Sequence, residues 1–164
     1  MILYPNLYIK NVKEIKYEML NKNNIKGLIL DVDNTLLDYY KNMLEGIDEW
    51  CKEMKEKGIK FCIASNSNNR EKVNKVSEKL GIPYVFFAKK PLKGGLNRAA
   101  KLMELKNEEV AVVGDQIFTD VLGANRCKMF SILVDPINEK DMLVTIIKRP
   151  IENLIKKNYK KGEK

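Results

Sequence analysis

Residues 27–36 read Gly-Leu-Ile-Leu-Asp-Val-Asp-Asn-Thr-Leu, a short apolar run that ends in two aspartates one residue apart. Consecutive apolar positions closed by turn-forming Asn34 are the pattern of a strand buried on both faces, and such strands belong to parallel sheets covered by helices. In open sheets of that kind, ligands bind beyond the carboxyl ends of the strands. Asp31 and Asp33 fall there. Two carboxylates so close repel each other unless a cation or a shared proton relieves them. The segment therefore points to a metal-assisted carboxylate site at a sheet edge.

The rest of the chain repeats the strand-then-helix rhythm. Asn11 is placed to cap a helix over 12–20, with Glu14 three residues on. Further helices are predicted over 44–57 (stopped by Gly58), 70–80 (stopped by Gly81), 96–105 and 118–127. Strands are predicted over 27–32, 59–64, 84–87, 110–113 and 130–134. Alternating strands and helices mean βαβ units. The expected fold is α/β, a Rossmann-like doubly wound sheet of five mostly parallel strands. One domain spans 1–164, with a catalytic body over about 27–135. A helical N-terminal appendage at 11–21 and a basic amphipathic tail at 139–164 flank it.

Composition narrows the chemistry. The 164 residues contain no histidine, so neither a Ser-His or Cys-His nucleophile pair nor a His-ligated zinc or iron site is possible. Acid–base work falls to Asp, Glu, Lys, Tyr or Cys. A hard, oxygen-preferring cation such as Mg²⁺ suits a site of carboxylates. Cys51, Cys62 and Cys127 show no CxxC spacing and read as reduced thiols of a cytoplasmic protein. No apolar run approaches the ~18 residues of a membrane span, and Met1–Pro5 lacks the pattern of a signal peptide.

Four predicted strand ends carry polar residues: Asp31 and Asp33, then Ser65 and Asn66, then Lys90, then Asp115 and Asp120. A parallel sheet brings all four to one edge, where acids, a hydroxyl and a lysine can hold a metal and a phosphate together. Asp31-Val32-Asp33-Asn34-Thr35-Leu36 resembles motif I of the haloacid dehalogenase (HAD) superfamily of phosphohydrolases. Ala64-Ser65-Asn66 resembles its motif II, Lys90-Pro91 its motif III, and Gly114-Asp115-Gln116-Ile117-Phe118-Thr119-Asp120 its motif IV. The wording of motifs I and IV further resembles the YqeG-like group of subfamily IIIA, which is related to phosphatidylglycerophosphate phosphatases of mitochondria and plastids.

The resemblance implies a role for each residue. Asp31 is the nucleophile that forms an aspartyl-phosphate. Asp33 protonates the leaving oxygen and then activates water. Ser65, Asn66 and Lys90 bind phosphate, and Lys90 also offsets charge on the nucleophile. Mg²⁺ is held by the Asp31 carboxylate, the Asp33 backbone carbonyl and Asp115. Asp120 and Thr35 support from behind, Asp120 by orienting Lys90 or a metal water.

Spacing speaks to the substrate. Only 31 residues separate Asp33 from Ser65 and 24 separate Ser65 from Lys90, and the crossover helices fill both intervals. Neither leaves room for the cap domain that many HAD enzymes insert there, so the site is expected to be open to a large substrate. The net charge of +8 lies at the ends. Residues 1–26 hold five Lys against two Glu, and residues 148–164 hold seven basic residues against two Glu. Such ends can lie on an anionic membrane, giving peripheral association at its inner face. The leading expectation is a Mg²⁺-dependent phosphatase converting phosphatidylglycerophosphate to phosphatidylglycerol. Alternatives are a phosphatase of nucleic-acid ends, phosphoproteins or small esters, and a receiver-like phospho-Asp signalling protein. Nucleic acid is disfavoured, because no aromatics interleave the basic residues.

Overall fold

The computed structural model describes residues 2–138 and positions 153 and 157. Apart from those two positions, the expected tail over 139–164 lies outside the described residues. Among the described residues, six strands form one parallel sheet: β1 Leu7–Ile9, β2 Gly27–Leu30, β3 Lys60–Ala64, β4 Tyr84–Val85, β5 Val110–Gly114 and β6 Phe130–Val134. Their order is β1-β6-β5-β2-β3-β4, and every pairing is parallel. The helices are α1 Tyr17–Lys22, α2 Ile47–Glu56, α3 Arg70–Leu80, α4 Lys93–Leu102 and α5 Leu122–Arg126.

The central strands are apolar, except for exposed Lys60 at the start of β3, because both faces are covered. Leu28 and Leu30 of β2, Phe61 and Ile63 of β3, and Ala111 and Val113 of β5 join one buried cluster, with Trp50 and Met54 of α2 and Val73 and Val76 of α3. Their neighbours Ile29, Cys62, Ala64, Val110 and Val112 point the other way, into a cluster with Leu96 and Ala99 of α4 and Ala124 of α5. Each fully buried aliphatic side chain stabilises this arrangement by roughly 1.5–3 kcal/mol.

The expectation of five strands is corrected to six. The added strand, β1, sits at the sheet edge, and its three residues are only half-buried, too few for a period-two pattern to stand out. It is held by pairing with β6 and by its flanks. Asn6 exchanges hydrogen bonds with buried Ser131 (2.8–3.0 Å), and the Tyr8 hydroxyl donates to Asp135.

The first helix is also shorter than its sequence suggests. Asn11 caps as expected, its side chain accepting from the Lys13 N–H at 3.0 Å, but the turn it opens is a 3-10 turn over Val12–Glu14. The backbone is extended at Ile15, whose carbonyl accepts from the Trp50 indole (3.1 Å), and α1 restarts at Tyr17. A tertiary hydrogen bond thus replaces the continuing helical one. Helix α2 begins at Ile47 rather than at 44 because Gly46 adopts a left-handed conformation (φ 78°). Helix α3 spans the expected residues. The segment expected as one helix over 118–127 is a π-turn over Ile117–Val121 followed by α5.

Candidate active site

Register brings the site together. Leu30 of β2 is level with Ile63 of β3 and Val113 of β5, so Asp31, Ser65 and Asp115 emerge side by side where the three strands end. The Asp31 N–H still bonds the Val113 carbonyl (3.0 Å), which fixes its backbone to the sheet. The chain then turns tightly: the N–H groups of Thr35, Leu36 and Leu37 all reach the Val32 carbonyl, and Asn34 takes a left-handed φ of 60°, which Asn tolerates better than most residues. That turn separates the two aspartates. The Asp31 side chain lies inward at 14% exposure, and the Asp33 side chain faces solvent at 54%.

Lys90 is the hub. Its ammonium lies 3.0 Å from Asp31 and 2.6 Å from Asp120, with its side chain 2% exposed. Burial works against its charge, but the Asp120 and Asp31 carboxylates outweigh burial and hold its pKa above the ordinary lysine value. Asp120 is held in turn by the π-turn: its other oxygen accepts from the Gln116 N–H at 3.2 Å. Gly114 makes room for it, because a Cβ there would collide with the Asp120 carboxylate.

Asp31, Asp115 and Asp120 each offer a carboxylate oxygen, all within 4.8 Å of one another. Burial, then Asp120, drives the Asp31 carboxyl well above the usual carboxylate range; Lys90 pulls it back and Asp115 pushes it up. One ammonium does not balance three acids. The cluster is all hard oxygen, so it fits a divalent cation that would relieve the remaining charge.

Ser65 is buried, and its hydroxyl accepts from the Ser67 N–H at 3.1 Å. The structure departs from the sequence reading at Asn66. Its side chain, expected on phosphate, clamps the backbone of Lys90, accepting from the Lys90 N–H (2.7 Å) and donating to the Lys90 carbonyl (2.8 Å). With both ends of the amide engaged, Asn66 positions Lys90. Thr35 is buried, and its hydroxyl has no hydrogen-bond partner among the described residues.

Lys72 is the residue that sequence reasoning missed. It stands in the first turn of α3 and pairs with Asp33 at 2.7 Å. A signal existed: a lysine near a helix N-terminus opposes the helix dipole and is unfavourable unless an acid faces it.

Comparison with known proteins agrees with this geometry. Residues 1–138 match the family described as mitochondrial PGP phosphatase. The chain is 45% identical over 152 residues to "Probable phosphatase YqeG" of Bacillus subtilis (strain 168), covering 92% of this chain and 88% of that one. It is 27% identical over 173 residues to phosphatidylglycerophosphate phosphatase 1, chloroplastic/mitochondrial, of Arabidopsis thaliana, covering 98% of this chain but 49% of that longer one. The fold is similar to that of the cobalt-bound deoxy-D-mannose-octulosonate 8-phosphate phosphatase of Haemophilus influenzae, with a TM-score of 0.56 at 16% identity, over 84% of this chain and 90% of that one. Six parallel strands with Asp31 and Asp115 at their carboxyl edge, a family match over most of the chain and a phosphatase relative at 45% identity make one conclusion: this chain belongs to the mitochondrial PGP phosphatase family, is similar to YqeG, and is a phosphoric monoester hydrolase.

Proposed function

We propose that this phosphatase acts through an aspartyl-phosphate on Asp31, uses Mg²⁺, and takes phosphatidylglycerophosphate as substrate. The observation that carries the chemistry is the division between the two aspartates. Asp31 sits inside the Lys90–Asp120–Asp115 cluster, whereas Asp33 stands apart on Lys72. One acid is thus placed to attack and the other to handle protons at the solvent side.

In the first step an Asp31 oxygen attacks phosphorus, the ester P–O bond breaks, and its electron pair leaves on the alcohol oxygen. Asp33 gives that oxygen a proton. In the second step Asp33 takes a proton from water, the water oxygen attacks phosphorus, and the bond to Asp31 breaks, releasing inorganic phosphate. Lys90 neutralises the nucleophile and the phosphoryl oxygens. The Ser65 hydroxyl donates to a phosphoryl oxygen while accepting from Ser67. Asn66 holds Lys90 from its backbone side, and Thr35 packs behind the motif I turn. Asp120 has one oxygen on Lys90 and one on Gln116, so Asp31 and Asp115, with the Asp33 carbonyl, are the assigned ligands of Mg²⁺. When bound, the cation supplies electrostatic stabilisation of the phosphoryl group.

The lipid substrate is supported by the family and by the rim of the site. Tyr39 and Tyr40, each 62% exposed, follow β2, and Phe87 (47%) and Leu92 (55%) follow β4, all beyond the carboxyl edge of the sheet. Exposed aromatics beside lysines suit a bilayer interface. No helix among the described residues is long and apolar enough to cross a membrane, so association would be peripheral. The test is Mg²⁺-dependent phosphate release from vesicles containing phosphatidylglycerophosphate, beside soluble glycerol 3-phosphate, with Asp31→Asn as control. Release from vesicles that is lost with chelator and with Asp31→Asn is expected. Turnover of soluble esters with none from vesicles would refute the lipid assignment.

A further inference from the structure

A cleft of about 420 Å³ opens between the loop that follows β2 and the exposed side of α3. Four lysines line it, Lys41, Lys72, Lys75 and Lys79, together with Leu37 and Val76. One acid, Glu71, shares the cleft, and it pairs with Lys75 at 3.4 Å. Among the described residues, neither Lys41 nor Lys79 has an ion-pair partner. So dense a cationic lining is costly in self-repulsion unless something anionic enters it.

The cleft lies beside Asp33, reached through two of its lining residues. Lys72 joins the Asp33 carboxylate to its wall, and Leu37, which bridges to Asp33 along the backbone, lines it as well. A cleft beside the acid proposed to donate the proton lies on the leaving-group side of the proposed reaction. We infer that this lysine cleft binds a second anionic group, a phosphate or phosphodiester, carried by the alcohol part of the substrate. This rests on the proposed role of Asp33 and on the proposed substrate, whose leaving alcohol carries a phosphodiester, and it deepens that assignment by giving the phosphodiester a place, the lysine cleft. Leu37 and Val76 offer the carbon skeleton between the two anionic groups an apolar surface.

The experiment compares kcat/KM for two soluble esters: glycerol 3-phosphate, whose alcohol is neutral, and glycerophosphoglycerol phosphate, whose alcohol carries a phosphodiester. Wild type is expected to favour the second by tenfold or more at low salt. The preference should shrink as ionic strength rises, because partly exposed charges are screened. The double substitution Lys75→Gln/Lys79→Gln should lower the ratio at least fivefold and flatten its salt dependence, and Lys75→Arg/Lys79→Arg should restore both. A wild-type ratio near one, or a ratio that the Gln pair leaves unchanged, would overturn the inference. Vesicles of the corresponding lipid separate the remaining source of anionic charge: if the Gln pair slowed vesicle turnover but left the soluble ratio intact, the lysines would be touching the membrane surface, and the inference would fall. Loss of turnover of both esters in Asp33→Asn tests the role of Asp33 itself, so the two failures are told apart.

Discussion

Replacing Lys90 by Met tests whether one buried ammonium holds the site together. At an effective dielectric of about 20, its contacts at 3.0 Å and 2.6 Å are worth gross attractions of about 5 and 6 kcal/mol. Desolvation of the three charges offsets most of this, and measured losses on removing one partner of a buried pair are about 3–5 kcal/mol. For a chain of this size that corresponds to a fall in Tm of roughly 6–20 °C. Metal-free protein, unfolded by heat and by urea at pH 7, reads the loss directly. The pH dependence follows from the charges left behind. Without the ammonium, Asp31 and Asp120 face each other in a buried space, so folding favours a protonated carboxyl there. The wild-type advantage should therefore be smallest in acid, near the ordinary carboxylate range, grow as pH rises, hold up to the ordinary lysine value, and fall as pH climbs from there through the raised value of folded Lys90. Adding Asp120→Asn to Lys90→Met removes one of the opposed acids and should recover at least about 1 kcal/mol. A loss under about 1 kcal/mol for the single variant, or a double variant no more stable than the single, would refute the reasoning.

Other outcomes follow from the same geometry. Asp33→Asn should reduce phosphate release by a factor of roughly 10²–10⁴, the usual span for a general acid–base group. Stability should change by less than about 1 kcal/mol, because the Asp33 side of the Lys72 pair is half-exposed; equal activity in a steady-state assay would remove Asp33 from proton transfer. Gly114→Ala should displace Asp120 and with it Lys90, costing about 1–3 kcal/mol in urea unfolding together with most activity. Retention of both would show that the π-turn yields freely. Cys62 is buried with its thiol pushed up to about 12, and burial raises Cys51 and Cys127 as well. Little thiolate forms at pH 8, so an aromatic disulfide reagent should titrate none of the three quickly in native protein and all three in denaturant.

Much of the architecture is legible in one dimension. The apolar runs at 27–30, 60–64, 110–114 and 130–134 can be satisfied only between two helical layers, and Gly81 ends α3 where the sequence places it. The acids, the serine and Lys90 are legible because a parallel sheet must bring its carboxyl ends to one edge, whatever the loops do. Edge strand β1 is not, since its partner β6 lies more than 120 residues away, and three half-buried residues carry too little pattern of their own. The early end of the first helical turn is not, since it depends on an indole from α2 reaching the Ile15 carbonyl.

Within the site, sequence alone determined which residue types stand at each strand end, and hence that the proposed chemistry draws on carboxylates, a lysine and a hard cation. Tertiary structure alone decided what each of them touches. Asn66 turned from the phosphate to the backbone of Lys90 because the loop after β4 lies within reach of its amide. Lys72 entered because the first turn of α3 faces the motif I turn, a contact between residues 39 positions apart; the local pattern signals that an acid faces this lysine, not which one. Sequence spacing fixes what is near along the chain, and only packing fixes which charges share a low-dielectric space.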